Sequence, residues 1–221
     1  MFTGLVETIG TIERVEHGAK GARFRFRCNY RDYEPGESIA VSGICLTVTE
    51  FDAAGFSAEA SKETLDKTVI GQKRVGDRVH LERAMPAHGR LGGHLVSGHV
   101  DGVGRLASRA PLGDAVKVTF EVPAQLAPFL APKGSVTIDG VSLTVNGASG
   151  TRFDVVLVPY TRSETLFDTL PEGGAVNIEV DLLAKYVARL MGRPGVDGIK
   201  ADNPTSELTM GMLQDAGYLD R

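Results

Sequence analysis

Gly43-Ile44-Cys45-Leu46-Thr47-Val48 returns 97 residues later as Gly140-Val141-Ser142-Leu143-Thr144-Val145. Four of the six positions are identical, and the third carries a sulfur in one copy and a hydroxyl in the other. The same displacement lays Thr64 on Thr161, Val79 on Val176 and Glu82 on Glu179. Near the start the register shifts by a few residues, so that Thr3-Gly4-Leu5-Val6 meets Ser97-Gly98-His99-Val100 and Gly10 meets Gly104. Agreement at so many turn and strand positions marks an internal duplication, with a period far too long for a solenoid.

Each copy reads as short strands. Twenty-seven glycines and ten prolines break up stretches rich in Val, Ile, Thr and Phe, the pattern of strands joined by tight turns. Gly4 to Val15 and Ala22 to Cys28 alternate polar with apolar residues, Phe24 and Phe26 standing between Arg23, Arg25 and Arg27. Ser38 to Val41, the repeated motif, Gly55 to Ala60 and Gly76 to Glu82 complete the copy, with a helical turn at Ser61 to Leu65. About six strands per copy predict a small closed barrel, and two copies predict two. Arg83 to Gly93, with Pro86, Gly89, Gly92 and Gly93, reads as the connector. Asp181 to Met191 changes to helical spacing, with Asp181 as N-cap and Gly192 and Pro194 as stops. Its apolar stripe has no third domain to cover it, which predicts packing between subunits. Residues 193–204 read as linker and Thr205 to Leu219 as a last short helix. The units expected are therefore a barrel over 1–93, a barrel over 94–180 and a helix with its tail over 181–221.

The bulk numbers narrow the partners. Twenty-four Lys and Arg oppose 28 Asp and Glu, a net charge of −4 without long runs of either sign, which argues against nucleic acid or an anionic membrane. The apolar runs are short, so no segment is expected to span a bilayer. Cys28 and Cys45 fit the reduced thiols of a cytoplasmic protein. A small molecule is the natural partner, and two alike barrels imply two alike ligands.

Thr47 and Thr144, like Thr64 and Thr161, offer hydroxyls at matched positions, suited to a polyol or a pyrimidine edge. His94 and His99 flank the turn Leu95-Val96-Ser97-Gly98, and with His88 and Asp101 they have no metal-ligand spacing; proton transfer near neutral pH is their available chemistry. Cys45 and Ser142 lie in no hydrolase signature. Asp181 stands where the first copy has Ala84, and Lys133 where it has Gly36, so the halves share a design and differ in equipment.

The opening Met1-Phe2-Thr3-Gly4-Leu5-Val6, the block Gly43 to Thr49, Gly92 to Gly102, Ile138 to Val145 and Asn177 to Asp181 together resemble the α chain of riboflavin synthase, a lumazine-binding two-barrel family. The resemblance covers about residues 1–191, and the tail Leu208 to Tyr218 is similar too. It implies an all-β fold of two tandem six-stranded antiparallel Greek-key barrels followed by a C-terminal α-helix. It implies a transferase that dismutates two 6,7-dimethyl-8-ribityllumazine molecules to riboflavin and 5-amino-6-ribitylamino-uracil by four-carbon transfer, with no cofactor and no metal. A homotrimer formed through the C-terminal helix follows, with the active site between the first barrel of one subunit and the second of its neighbour, and association with lumazine synthase is open.

Carried over by position, the first barrel's ligand meets Gly4, Leu5, Val6, Cys45, Leu46, Thr47 and the segment Glu59, Ala60, Ser61, Lys62, Glu63 and Thr64. The second meets Gly98, His99, Val100, Lys133, Ser142, Leu143, Thr144 and the segment Val156, Leu157, Val158, Pro159, Tyr160 and Thr161. Phe2, Cys45, His99, Ser142, Thr144 and Asp181 are the candidates for chemistry, with His99 and Thr144 removing a proton from the acidic C7 methyl and Ser142 or Cys45 supplying or polarising the nucleophile. Ile44 and Ser61 depart from residues found there in some members. Lumazine- and flavin-binding antenna proteins resemble the same family without turnover and are the competing reading.

Overall fold

The computed structural model describes residues 1–192; the linker at 193–204 and the last helix expected at Thr205 to Leu219 lie outside them. The first half is a closed barrel of β1 (Thr8–Gly18), β2 (Gly21–Arg27), β3 (Ser38–Val41), β4 (Ile44–Asp52), β5 (Gly55–Ser61) and β6 (Arg78–Arg83), with a short helix α1 (Lys62–Lys67) after β5. Around the barrel the strands run β1-β2-β5-β4-β3-β6, all antiparallel, and β6 closes on β1.

The second half contains β7 (Gly102–Leu112), β8 (Ala115–Glu121), β9 (Ser135–Ile138), β10 (Val141–Thr144), β11 (Gly147–Ser149), β12 (Arg152–Leu157), α2 (Pro159–Glu164) and β13 (Ala175–Val180). Its order is β10-β9-β13-β7-β8-β12-β11. This is the first barrel's order with one strand divided, which makes seven strands where six were expected and leaves the sheet unpaired between β10 and β11, a half-barrel where a closed barrel was expected. The division has a local cause. β4 carries a bulge between Val48 and Glu50, and the corresponding Val145-Asn146 turns away, the Asn146 N–H donating to the Asp154 carbonyl at 2.8 Å. The helix α3 (Leu182–Leu190) follows, capped as expected by the Asp181 carboxylate, which accepts from the Leu183 N–H at 2.8 Å. No described helix is long and apolar enough to cross a membrane.

Alternation fixes which face of each strand is buried. On β2, Phe24 and Phe26 point into the barrel, where Phe26 packs on Phe56 with centroids 5.0 Å apart. Arg23 and Arg27 point out and pair with Glu50 and Glu13. In the second half Phe120 stacks on Phe153 at 5.8 Å.

The halves are locked by contacts that obey the duplication. Phe2 and Val96 pair as an antiparallel bridge, each N–H donating to the other's carbonyl at 2.8 and 3.1 Å. Buried Glu82 accepts from the Thr3 N–H and hydroxyl at 2.6 and 2.8 Å and from the Gly4 N–H at 3.0 Å. Glu179 does the same for Ser97 and Gly98, at 2.7, 2.7 and 3.0 Å. Burial raises both carboxyl pKa values, and these donors pull against that shift. At the other end of the same strands, the Asn177 side chain donates to the Ser42 carbonyl at 2.9 Å and accepts from the Val69 N–H at 2.8 Å.

His80 is Asn177's counterpart. The Leu166 N–H points at Nε2 at 2.8 Å, so the ring proton sits on Nδ1 and donates to the Asp139 carbonyl, also at 2.8 Å. Both nitrogens are committed to the neutral ring, and burial pulls the pKa down to about 4. Above about pH 6.5 the ring is neutral whether the chain is folded or not, and the group confers its full stability. As pH falls toward 4 the unfolded chain takes up a proton that the folded chain refuses, and stability is lost, by roughly 2 kcal/mol at pH 5. Asp139, whose carboxyl burial lifts to about 7, works with the opposite sign, losing stability as pH rises through that value. A His80→Asn variant, which imitates Asn177, isolates the histidine. We expect it to match wild type at pH 7 within about 1 kcal/mol and to lose less stability than wild type on acidification to pH 5. Thermal or urea unfolding at both pH values checks this, and parallel curves for the two proteins would refute it.

Candidate functional site

The glycines of the two matched openings decide how the sites are built. Gly4 and Gly98 have φ of +76° and +80°, and a Cβ on either would lie 2.6 Å from the Cβ of Ser142 or of Cys45 respectively. The Ser142 N–H donates to the Gly4 carbonyl at 2.7 Å, and the Cys45 N–H to the Gly98 carbonyl at 2.8 Å. Val6 packs on the second core and Val100 on the first. The halves therefore exchange their opening segments. Gly4, Leu5 and Val6 belong with Ser142, Leu143 and Thr144, while Gly98, His99 and Val100 belong with Cys45, Leu46 and Thr47. This reverses the expected allocation, in which each opening segment served its own barrel.

The remaining segments gather as expected. β4 runs antiparallel to β5 with Val48 opposite Ala58, which carries Cys45 and Thr47 toward Glu59, Ala60, Ser61 and the start of α1. There Ser61 Oγ accepts from the Thr64 N–H at 3.1 Å. In the second half Val156 and Leu157 end β12, and Val158 leads into Pro159, Tyr160 and Thr161 of α2. Thr47 and Thr144 are exposed, as matched ligand-facing hydroxyls must be. Lys133 holds φ of +69° where its counterpart Gly36 has +80°. A left-handed lysine costs roughly 1–2 kcal/mol, a strain that fits a side chain held for function.

The candidates for chemistry fall apart into different kinds. Phe2 is completely buried and acts through the Phe2–Val96 bridge, so it positions the openings and does not face a ligand. His99 is exposed beside Gly98, its N–H donating to Ser97 Oγ at 3.2 Å, and it has no hydrogen bond to Thr144, the partner expected for it. Cys28 and Cys45 are free thiols. Cys45 packs beside Phe2, Ala40 and Val96.

Ser142 has a partner that the sequence marked for proton transfer, together with His99, but paired with no residue. His94 Nδ1 lies 2.7 Å from Ser142 Oγ, and its Nε2 lies 3.1 Å from Thr137 Oγ1. The histidine is 8% exposed. Burial lowers its pKa and the Asp181 carboxylate opposes that shift; burial wins, so the ring is neutral near pH 7. A neutral ring carries one N–H, so either Nε2–H donates to Thr137 Oγ1 while Nδ1 accepts from the Ser142 hydroxyl, the tautomer in which His94 is a proton acceptor for that hydroxyl, or Nδ1–H donates to Ser142 Oγ while Nε2 accepts from Thr137. Either way one ring nitrogen serves Ser142 and the other is held by Thr137. The first half lacks both hydroxyls, since Ala40 and Cys45 stand at the positions of Thr137 and Ser142.

The duplication matches what comparison with known proteins finds. The family model described as the lumazine binding domain matches residues 3–84 and again 97–181. A riboflavin synthase of Photobacterium phosphoreum is 42% identical over 99% of this chain and 100% of its own length. The chain belongs to the riboflavin synthase family. The riboflavin synthase of Bacillus subtilis (strain 168) is 38% identical over 99% of this chain, and that of Mycobacterium tuberculosis (strain ATCC 25618 / H37Rv) 43% over 88%, each covered in full. Among solved structures, LumP complexed with 6,7-dimethyl-8-(1'-D-ribityl) lumazine superposes with a TM-score of 0.72 at 22% identity, covering 81% of this chain and 99% of that one. LumP complexed with riboflavin gives 0.73 at 24%, with the same coverage. At those identities the likeness is one of fold.

Proposed function

We propose that this chain is a riboflavin synthase, a transferase that moves a four-carbon unit between two molecules of 6,7-dimethyl-8-ribityllumazine, giving riboflavin and 5-amino-6-ribitylamino-uracil. The observation that carries the reading is the pair of alike mouths with unlike chemistry. A dismutation needs one ligand bound twice in different roles, and orientation of the two rings supplies much of the rate. One mouth offers Cys45; the other offers Ser142 with His94 and Thr137 behind it. In this reading Ser142 polarises or adds to C7 of one lumazine and its proton passes to His94, while a base that includes His99 removes the C7-methyl proton of the other. The ribityl chains and ring edges meet Thr47, Thr144, Lys133 and the ends of β5 and β12.

The working form is a homotrimer in the cytoplasm, its active site joining the first barrel of one subunit to the second barrel of the next. Support comes from α3, whose Leu183, Tyr186, Val187, Leu190 and Met191 are between 53% and 86% exposed and want a cover. The division into 1–93, 94–180 and 181–221 goes with it, each barrel borrowing the other's opening segment, and docking with lumazine synthase is compatible with it.

The test is direct: incubate the purified chain with the lumazine alone and follow riboflavin by absorbance. Riboflavin and the uracil should appear at half the rate of lumazine loss. Bound lumazine without product over hours would transfer the chain to the antenna class; the identity to the synthases, 42% over nearly the whole chain for one of them, weighs against it.

A further inference from the structure

A cleft of about 320 Å³ opens between the halves, away from the exchanged segments. β6 and β13 leave it at Arg78 and Ala175 and reach the Glu82 and Glu179 cradles four residues on, about 13 Å along the strand. The duplication pairs the walls of this cleft, Lys73 with Leu170 and Arg78 with Ala175. A symmetrical cleft would have like walls. This one has both cations on the first half's side, and Leu166, Phe167, Leu170 and Pro171 on the other.

Neither cation is satisfied by an acid, since Lys73 and Arg78 form no ion pair with any described residue. Asp77 is turned to its own loop, where it accepts from the Arg74 N–H at 2.8 Å. His80 has both nitrogens engaged. Asp139 Oδ1 accepts from the Asn177 N–H at 2.7 Å. Burial lifts this carboxyl to about 7, with the Asn177 N–H and Lys73 pulling the other way, so near neutral pH it opposes an incoming anion less than an ordinary carboxylate would.

We propose that this cleft binds a small organic phosphate, its dianionic head between Lys73 and Arg78 and an apolar or aromatic body against Phe167 and Leu170. Two unpaired cations match a dianion, and the apolar wall selects a head that carries a ring or chain. The inference does not depend on the synthase reading, because none of these residues belongs to the candidate lumazine sites.

Phenyl phosphate is the probe, titrated calorimetrically into the full-length protein with excess riboflavin present to fill flavin sites. We expect saturable binding below about 10 mM, weakened roughly tenfold or more in a Lys73→Ala/Arg78→Ala variant, and roughly tenfold weaker binding of inorganic phosphate to the wild type. Turnover of the lumazine should be the same in variant and wild type. No binding of phenyl phosphate, or equal binding by the double variant, would overturn the site. Equal affinity for inorganic and phenyl phosphate would overturn the role of the apolar wall and with it the proposal.

Discussion

Replacing Gly43 by valine is expected to lower the melting temperature by roughly 10 °C or to prevent folding altogether. Gly43 and Gly140 meet where the two copies of the motif face each other, with φ of +82° and +83°. A Cβ on Gly43 would lie 2.7 Å from the Gly140 nitrogen and 3.1 Å from its Cα, and a Cβ on Gly140 would meet the same atoms of Gly43. These are backbone atoms of the two-residue turns that join β3 to β4 and β9 to β10, and they cannot swing aside. Holding a branched residue in a left-handed turn costs roughly 1–2 kcal/mol, and wedging it into the contact roughly 1–3 more. Against a total stability of roughly 5–15 kcal/mol, such a loss moves the melting temperature of a chain this size by several degrees per step of that cost. Gly36→Ala is the control. Its φ of +80° is nearly the same, but nothing lies within 4 Å of the added carbon, so only the conformational cost, roughly 1–2 kcal/mol, should appear. Thermal unfolding of Gly43→Val, Gly43→Ala and Gly36→Ala decides the matter. If the two alanine variants melt together and valine at 43 is tolerated, the glycine contact does not lock the halves.

That contact could be read in part from the sequence, because the motif pair that opens the duplication is the pair that meets. Local signals served well where one element explains itself. Phe24 and Phe26 alternating with arginines gave β2, and Ser38 to Val41 is a strand over the residues expected. Asp181 before an apolar stripe gave α3 and its cap. Signals failed where the determining contact is remote. Residues 4–7 alternate like the start of a strand, yet β1 begins only at Thr8, because Gly4 is drawn to Ser142 of the other half. Backbone hydrogen bonding at a strand's end leaves no mark of which barrel it joins, so the exchange could not be seen in residue order. The partners of His94 were hidden for a related reason, Thr137 and Ser142 lying 43 and 48 positions away. A signal was nevertheless present. At Ala40 against Thr137, and at Cys45 against Ser142, the second copy gains a hydroxyl. Both mismatches fall on one spot in space, beside His94.

His94→Ala should reduce kcat for riboflavin formation by about 10²–10⁴, the range for removing a positioned acid or base, while lumazine affinity changes little. The ring touches Ser142 and Thr137 and is buried behind them, so its loss reaches the chemistry without removing a ligand contact. Folding is the obvious confounder, and three readouts separate it from a role in turnover. His94→Gln keeps a polar side chain of similar reach and should fold like wild type yet remain slow, because an amide does not take up a proton. Ser142→Ala should cost about as much as His94→Ala, and the double variant little more than either, since residues that act as a unit lose their effect together. The pH profile gives the third. Burial keeps the wild-type ring neutral to below its ordinary pKa, so kcat should hold as pH falls through 6.5 and decline only under more acid conditions, and both His94 variants should lack that decline. Additive losses in the double variant, or an acid limb that survives without the ring, would reduce His94 to a packed side chain and return the proton transfers to His99 and solvent. The outcome also bears on the asymmetry of the halves. If the second mouth alone carries a proton acceptor behind its hydroxyl, the lumazine held there is the one activated through Ser142, and the ligand beside Cys45 is presented to it from the neighbouring subunit.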